Sequence, residues 1–303
     1  VNYNTNPITS AMFITATAPN PLIVDLIAKA TNSSIQITWA QWALAALLPG
    51  LCMLLLMPLV LYLFFPPEIK NTPDAKGMAL DALQKLGPMK AAEYVTLGVL
   101  ALMLLMWAGV PALLLGPEMD LNATTTAMIG LSLLILTGVL EWEDILKAKS
   151  AWDTLVWFAA LVMMATFLGK LGLIAWFSQS IQTGITGLGL GWVGATVILV
   201  GIYFYSHYFF ASTTAHITAM FGAFFAAGVA LGAPPMLLAL LLAFSSSLMM
   251  SLTHYGTGTA PIIFGSGYTT LNEWWAAGAI LSVVNLLVLV LVGSVWWKLL
   301  GYI

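Results

Sequence analysis

The sequence predicts an all-α polytopic membrane protein with broken helices, and three observations carry that prediction. Of its 303 residues 61% are hydrophobic and only 7% are charged, with a mean hydropathy of +0.98. A soluble domain carries roughly a quarter charged residues, so nine basic and twelve acidic side chains cannot build a polar surface around 32.4 kDa. Apolar runs of about twenty residues, the length that crosses the hydrocarbon core as a helix, recur along the chain. Two apolar stretches are interrupted, residues 7–30 by Thr17-Ala18-Pro19-Asn20-Pro21 and residues 235–268 by the segment Thr253-His254-Tyr255-Gly256-Thr257-Gly258-Thr259-Ala260-Pro261.

Taken in order, residues 1–67 hold the first broken helix and one span at 41–66, closed by Pro66-Pro67, which cannot continue a helix. Residues 68–90 form a polar linker with Asn71-Thr72-Pro73-Asp74 and Gly87-Pro88. Residues 91–303 hold scaffold helices within 91–180 (spans at 91–109, 122–141 and 154–178) and a hairpin over 192–232 that turns at Ser212-Thr213-Thr214. The second broken helix at 235–268 and a last helix at 274–299 complete a set of seven to nine membrane segments. Four lysines lie between Glu68 and Lys90 and two between Ile145 and Ala151, which sets these loops on the cytoplasmic side. Crossings counted from there put Val1 inside and Ile303 outside.

Charges elsewhere read as interfacial. Lys298 is expected to snorkel beside Trp296 and Trp297 in an aromatic belt. Glu141, Glu143, Asp144 and Asp153 flank span ends, and Trp142 to Lys149 reads as a short amphipathic helix at the membrane surface. All nine basic residues are lysine, so no guanidinium fork is available, and nucleic acid is not expected as a partner. The single cysteine, Cys52, can form no internal disulfide. No cofactor is expected.

Ser10-Ala-Met-Phe, Thr17-Ala18-Pro19 and Trp42-Ala-Leu-Ala echo Ser247-Leu-Met-Met, Thr259-Ala260-Pro261 and Trp274-Trp275-Ala-Ala. The crossing count orients the two copies oppositely, the mark of an inverted repeat. Residue 1 is Val with no charged signal region before the first apolar stretch, so the chain reads as a fragment that has lost an N-terminal half.

A helix interrupted in lipid leaves backbone groups unpaired at several kcal/mol each, so such a break marks a site lined by protein or water. Each break also exposes a helix N-terminus, whose free N–H groups and partial positive charge attract anions. Thr17, Asn20, Ser212, Thr213, Thr214, Thr257, Gly258 and Thr259 are therefore the candidate binding residues, neutral donors that hold a carboxylate without trapping it. Thr253, Pro261, His216 and His254 are candidates for supporting that site. His207, His216 and His254 lie at membrane depth without an i, i+4 pair or a nearby carboxylate, so no metal is expected on them. A reading of His254 with Gly265-Ser266-Gly267 as an intramembrane Ser-His hydrolase, and a channel for small anions, are the alternatives from other classes.

Phe209-Phe-Ala-Ser-Thr-Thr-Ala-His-Ile-Thr-Ala-Met220 and Leu252-Thr-His-Tyr-Gly-Thr-Gly-Thr-Ala-Pro-Ile-Ile-Phe-Gly-Ser-Gly-Tyr268 resemble the divalent anion:sodium symporter family. The resemblance extends through Thr17-Ala-Pro-Asn20 and Phe64-Phe-Pro-Pro-Glu-Ile-Lys70. It is nearest to a branch of plastid 2-oxoglutarate/malate translocators and bacterial citrate/succinate and tartrate/succinate antiporters. It implies a secondary transporter of di- or tricarboxylates, an elevator-like mechanism, a homodimer when full length, and a bacterial inner membrane in preference to a plastid envelope. Ser212-Thr213-Thr214 matches the family's Ser-Asn-Thr turn, Thr257 to Pro261 its second break and Thr17 to Asn20 its first. Thr213 stands where sodium-coupled members carry Asn, which implies exchange without obligatory sodium; backbone carbonyls near Ser212 and Gly256 are the remaining places for a sodium ion.

Overall fold

A computed structural model describes residues 1–67, 74–119 and 121–303, so the start of the expected linker at 68–73 lies outside the described residues. All regular elements among the described residues are helical. In chain order they are α1 (Asn2–Met12), α2 (Pro19–Ala30), α3 (Trp39–Phe64), α4 (Ala75–Leu86), α5 (Ala91–Trp107), α6 (Val110–Leu115), α7 (Ala123–Leu136), α8 (Trp142–Lys147) and α9 (Lys149–Lys170). There follow α10 (Leu173–Thr186), α11 (Trp192–Tyr205), α12 (Thr213–His216), α13 (Gly222–Ala230), α14 (Pro235–Leu248), α15 (Ala260–Phe264), α16 (Leu271–Val288) and α17 (Ser294–Leu299). Among the described residues four helical stretches are long and apolar enough to cross a membrane: Trp39–Phe64, Trp192–Phe209, Thr213–Ala230 and Leu271–Leu299. The apolar helices Ala123–Leu136 and Pro235–Ser251 are shorter, and α4 and α5 meet at a bend of 105°.

The chain divides into two compact units, one of residues 1–61 with 155–303 and one of residues 62–154. In the first, α14 is the core: every residue from Leu237 to Leu248 is buried, with α1, α11, α13 and α16 packed around it. Leucine patterning explains the outer layer. On α3 the residues Trp42, Ala45, Ala46, Pro49, Met53, Met57 and Leu61 face the protein, while Leu44, Leu48, Leu51, Leu55 and Leu59 are exposed. A stripe of exposed leucines at helical spacing is a liability in water and the expected lipid-facing surface in a bilayer.

Proline and glycine then decide the details. Pro49 has no N–H, so the Ala45 carbonyl loses its helical donor. The indole of Trp297 supplies one instead at 2.9 Å, and Trp296 donates to the Leu44 carbonyl at 2.7 Å. Trp297 is thus fully buried, where an interfacial belt was expected; only Lys298 beside it is exposed. The expected span at 154–178 is two helices, because Gly172 takes a left-handed conformation (φ 82°) that ends one at Lys170 and starts α10. α10 packs along α13 through a face that buries Ser178 and Ile185. Gly278 on α16 lies against the chain just before the second break, where a Cβ would come within 2.6 Å of the Ser251 carbonyl oxygen.

In the second unit α5 packs on α7. The linker is more regular than its polarity suggested, since α4 places Leu80, Leu83 and Leu86 at helical spacing. The expected surface helix is present as α8, closed by the Asp144 carboxylate accepting from the Glu141 N–H at 2.9 Å and by an exposed Lys147–Glu143 ion pair at 3.6 Å.

The Pro49–Trp297 pairing yields a test. Replacing Trp297 by Phe leaves the Ala45 carbonyl buried without a donor, a loss of about 1–3 kcal/mol in denaturant unfolding of the detergent-solubilised protein. In a Pro49→Ala background the helical N–H returns, and the same replacement should cost less than half as much. An equal loss in both backgrounds would show that the indole does not stand in for the missing N–H.

Candidate functional site

Both interruptions expected from the sequence are present, and both lie in the first unit. α1 ends at Met12, a turn of 3₁₀ helix covers Ile14–Ala16, Thr17 is extended (φ −140°, ψ 147°), and Pro19 starts α2. α14 tightens into a 3₁₀ turn at Met249–Ser251, the chain opens through residues 252–259, and α15 begins at Ala260. The hairpin arms Trp192–Phe209 and Thr213–Ala230 turn at residues 210–212. Ser212 caps the second arm: its Oγ accepts from the Ala215 N–H at 3.3 Å and its carbonyl from the His216 N–H at 3.1 Å. The N–H groups of Thr213 and Thr214, in the first turn, have no intrahelical acceptor.

The two breaks and the hairpin tip enclose a cleft of about 150 Å³ lined by Thr17, Pro19, Ser212, Thr213, Thr214, Met250, Thr257 and Gly258. Bulk water takes about 30 Å³ per molecule, so the space admits several waters or one small organic acid. No charged side chain lines it. Its polar character comes from hydroxyls and backbone, and the Thr17 Oγ1 is buried without a hydrogen-bond partner.

Six of the eight candidate binding residues therefore meet at one place. Asn20 does not line the cleft: it is fully buried, and its amide donates to the Ser10 carbonyl at 2.9 Å and the Phe13 carbonyl at 3.0 Å. Its Oδ1 accepts from the Ser247 hydroxyl at 3.4 Å, tying the first break to α14. Thr259 is exposed at the N-cap of α15, and Pro261 is exposed in its first turn. The two lining residues that sequence reasoning passed over are Pro19 and Met250. Pro19 sits inside the quoted motif; Met250 had no signal beyond its place at the end of an apolar run.

Among the supporting candidates, His216 and Thr253 are fully buried. His216 Nδ1 lies 3.1 Å from Nδ1 of His207, and His207 Nε2 is 2.9 Å from the Gly256 carbonyl oxygen, which also accepts from the Thr213 hydroxyl at 3.3 Å. A carbonyl oxygen has two lone pairs, and two donors aim at this one. The carbonyl of Gly256 is therefore engaged where a cation ligand was considered. The described residues contain no group of three or more His, Cys, Asp or Glu placed to hold a metal ion. His254 is half-buried, accepts from the Trp275 indole at 3.2 Å and packs on Phe264 and Tyr255. Ser266 is exposed and donates to the Ile263 carbonyl at 2.6 Å, so the Ser-His dyad of the hydrolase alternative is not assembled.

A family model described as the sodium:sulfate symporter transmembrane region matches residues 1–303. The chain belongs to the divalent anion:sodium symporter family. Within it, the chain is similar to dicarboxylate transporter 1 of the Arabidopsis thaliana chloroplast, 46% identical over 99% of this chain and 52% of that protein. It is 50% identical to YflS of Bacillus subtilis (strain 168) over 98% of this chain and 60% of that protein. Inner membrane protein YbhI of Escherichia coli (strain K12) is 38% identical over 98% of this chain and 60% of its own length. The chain thus spans 52 to 60% of the length of these three relatives.

The contrast between Asn20 and Thr17 can be measured. Asn20→Leu orphans the buried Ser10 carbonyl, while the Phe13 carbonyl keeps the Ala16 N–H, and should lower unfolding stability by about 1–3 kcal/mol. Thr17→Val removes a hydroxyl with no partner to lose and should leave stability within about 0.5 kcal/mol of the starting value. Denaturant unfolding of the two variants checks both; a Thr17→Val loss as large as that of Asn20→Leu would mean that the hydroxyl is structural.

Proposed function

We propose that this chain forms part of a secondary transporter of C4–C6 di- or tricarboxylates, the class of malate, succinate, 2-oxoglutarate and citrate, and that it works by exchange. The observation that carries the reading is the cleft: three separate stretches of chain bring Thr17, Ser212, Thr213, Thr214 and Thr257 together with no charged side chain among the lining residues. Carboxylates are held there by hydroxyls and by the N–H groups at the start of the second hairpin arm, whose helix dipole favours negative charge. Neutral donors bind more weakly than a charge pair, which suits a ligand that must leave on the other side. The chloroplast relative is named a dicarboxylate transporter, which supports the same substrate class.

Exchange is favoured over sodium coupling, the runner-up, by the Thr213 hydroxyl and the His207 N–H that engage the Gly256 carbonyl. The movement is elevator-like: every residue of the cleft belongs to one compact unit, residues 1–61 with 155–303, as a body carrying its ligand across requires. The full-length protein is a homodimer in a bacterial inner membrane, and the division into a first-repeat tail (1–67), a linker (68–90) and a second repeat (91–303) describes its sequence organisation.

Reconstituted vesicles test the reading. In a full-length carrier containing this chain, uptake of labelled malate should require an internal dicarboxylate, saturate, and persist when sodium is replaced by choline. Concentrative uptake into empty vesicles that depends strictly on sodium would favour the symporter, and an unsaturable current would favour a channel. Thr257→Val and Ser212→Ala should each raise the half-saturation concentration about ten- to a hundredfold, the range expected for a lost hydrogen bond to a charged ligand, with expression unchanged. Wild-type half-saturation and maximal rate in both variants would sink the site assignment.

A further inference from the structure

We infer that Ser206, His216 and His207 form a hydrogen-bonded relay that positions the Gly256 carbonyl, and with it the second break of the cleft, although none of the three lines the cleft. The inference rests on the carboxylate reading of that cleft. It begins from a count of hydrogens. The Gly256 oxygen can only accept, so the His207 nitrogen 2.9 Å from it, Nε2, carries a hydrogen. A neutral His207 then has a bare Nδ1, and the His216 Nδ1 at 3.1 Å must supply the hydrogen between them. That leaves the His216 Nε2 bare, and it lies 3.1 Å from the hydroxyl of Ser206. Donors therefore run in one direction: Ser206 to His216, His216 to His207, His207 to Gly256. The Tyr203 carbonyl, 2.8 Å from the Ser206 Oγ, is the other acceptor open to that hydroxyl. Donation to His216 is the arrangement in which each of the four imidazole nitrogens either gives or takes one hydrogen.

The two rings cannot change independently. Were the His216 hydrogen on Nε2, two bare Nδ1 atoms would face each other at 3.1 Å unless His207 also moved its hydrogen to Nδ1, and the Gly256 carbonyl would then lose its N–H donor. Ser206 selects between these states from the far end, which makes it a positioning residue. Packing holds the rings in register. Both histidines are fully buried, and His216 packs against Tyr203 and Phe210 with ring centroids 4.7 and 4.6 Å away. A Cβ on Gly256 would stand 3.0 Å from His207 Nε2 and from Thr253 Oγ1, tighter than most such contacts, so a larger residue would press on the His207 ring. The carbonyl so fixed is also the acceptor of Thr213, a lining residue, and it precedes Thr257 and Gly258, which line the cleft as well. One oxygen thus joins the hairpin tip to the second break.

Nitrogen-15 NMR of a full-length carrier with labelled histidine, taken without substrate, tests the relay directly. His207 should carry its hydrogen on Nε2 and His216 on Nδ1. Ser206→Ala should convert this to a mixture of tautomers and raise the half-saturation concentration for malate about three- to tenfold, the worth of one weakened hydrogen bond. Ser206→Thr, which keeps the hydroxyl, should restore both. His207 protonated on Nδ1 in the wild type would overturn the inference, as would a Ser206→Ala variant whose malate affinity changes while its tautomers do not. Should Ser206→Ala fail to fold, the wild-type and Ser206→Thr spectra still decide. A wild-type carrier that binds no carboxylate would instead overturn the reading of the cleft, and the tautomer pattern would stand as the separate test of the relay.

Discussion

In a bilayer no water is available to rescue a backbone group that loses its partner, and the architecture of this chain follows from where it breaks that rule and what repairs it. The α1 helix ends inside the structure, and its last carbonyls are taken by the Asn20 amide and by the Trp42 indole, which donates to Ala11 at 2.8 Å. The Tyr3 hydroxyl donates to the Met250 carbonyl at 2.7 Å, just before the second break. Trp297 repairs the gap left by Pro49, and His207 and Thr213 take the Gly256 carbonyl. In each case a polar side chain from outside the helical hydrogen-bond pattern does what a helical N–H would have done.

That arrangement separates two kinds of polar group which look alike in the sequence. Asn20, Trp42, Tyr3 and His207 meet the needs of the backbone and are used up in doing so. Thr17 Oγ1 stays unpaired, and the first N–H groups of the second hairpin arm have no intrahelical partner. Burying such groups without a partner costs free energy, and under the proposed function a ligand that brings acceptors would offset it. The carboxylates of the proposed substrates supply acceptors, so the donors left over by the fold are complementary to them.

How much of this was legible in the sequence depended on the range over which each signal acts. The breaks at Thr17–Pro21 and Thr253–Pro261 were legible because Pro, Gly and Thr act on their own neighbourhood, and six residues chosen from them and from Ser212–Thr214 do meet in the cleft. The role of Asn20 was not, since whether an amide faces a ligand or a carbonyl is settled by Ser10 and Phe13 after folding. Trp297 was misplaced for the same reason: a Trp-Trp-Lys sequence has the composition of an interfacial belt, and the indole's acceptor, the Ala45 carbonyl that Pro49 leaves free, lies about 250 positions away. The break at Gly172 was hidden inside a continuous apolar run, where hydropathy outweighed one glycine.

The histidines show the same distance effect at its strongest. Taken singly, His207 and His216 are two imidazoles at membrane depth, and sequence spacing offered no i, i+4 pair to join them. The hairpin turn joins them instead: it folds the second arm back so that residue 216 meets residue 207 across the tip, and the break brings Gly256 beneath both. Neutral rings suit this place. A charged pair at 3.1 Å would repel and would meet an unfavourable desolvation cost at this depth, whereas two neutral tautomers hand one hydrogen along a fixed direction and end on a carbonyl. The chain thus ties a hairpin tip and an unwound loop to one oxygen atom without placing a charged side chain among the residues that line the cleft.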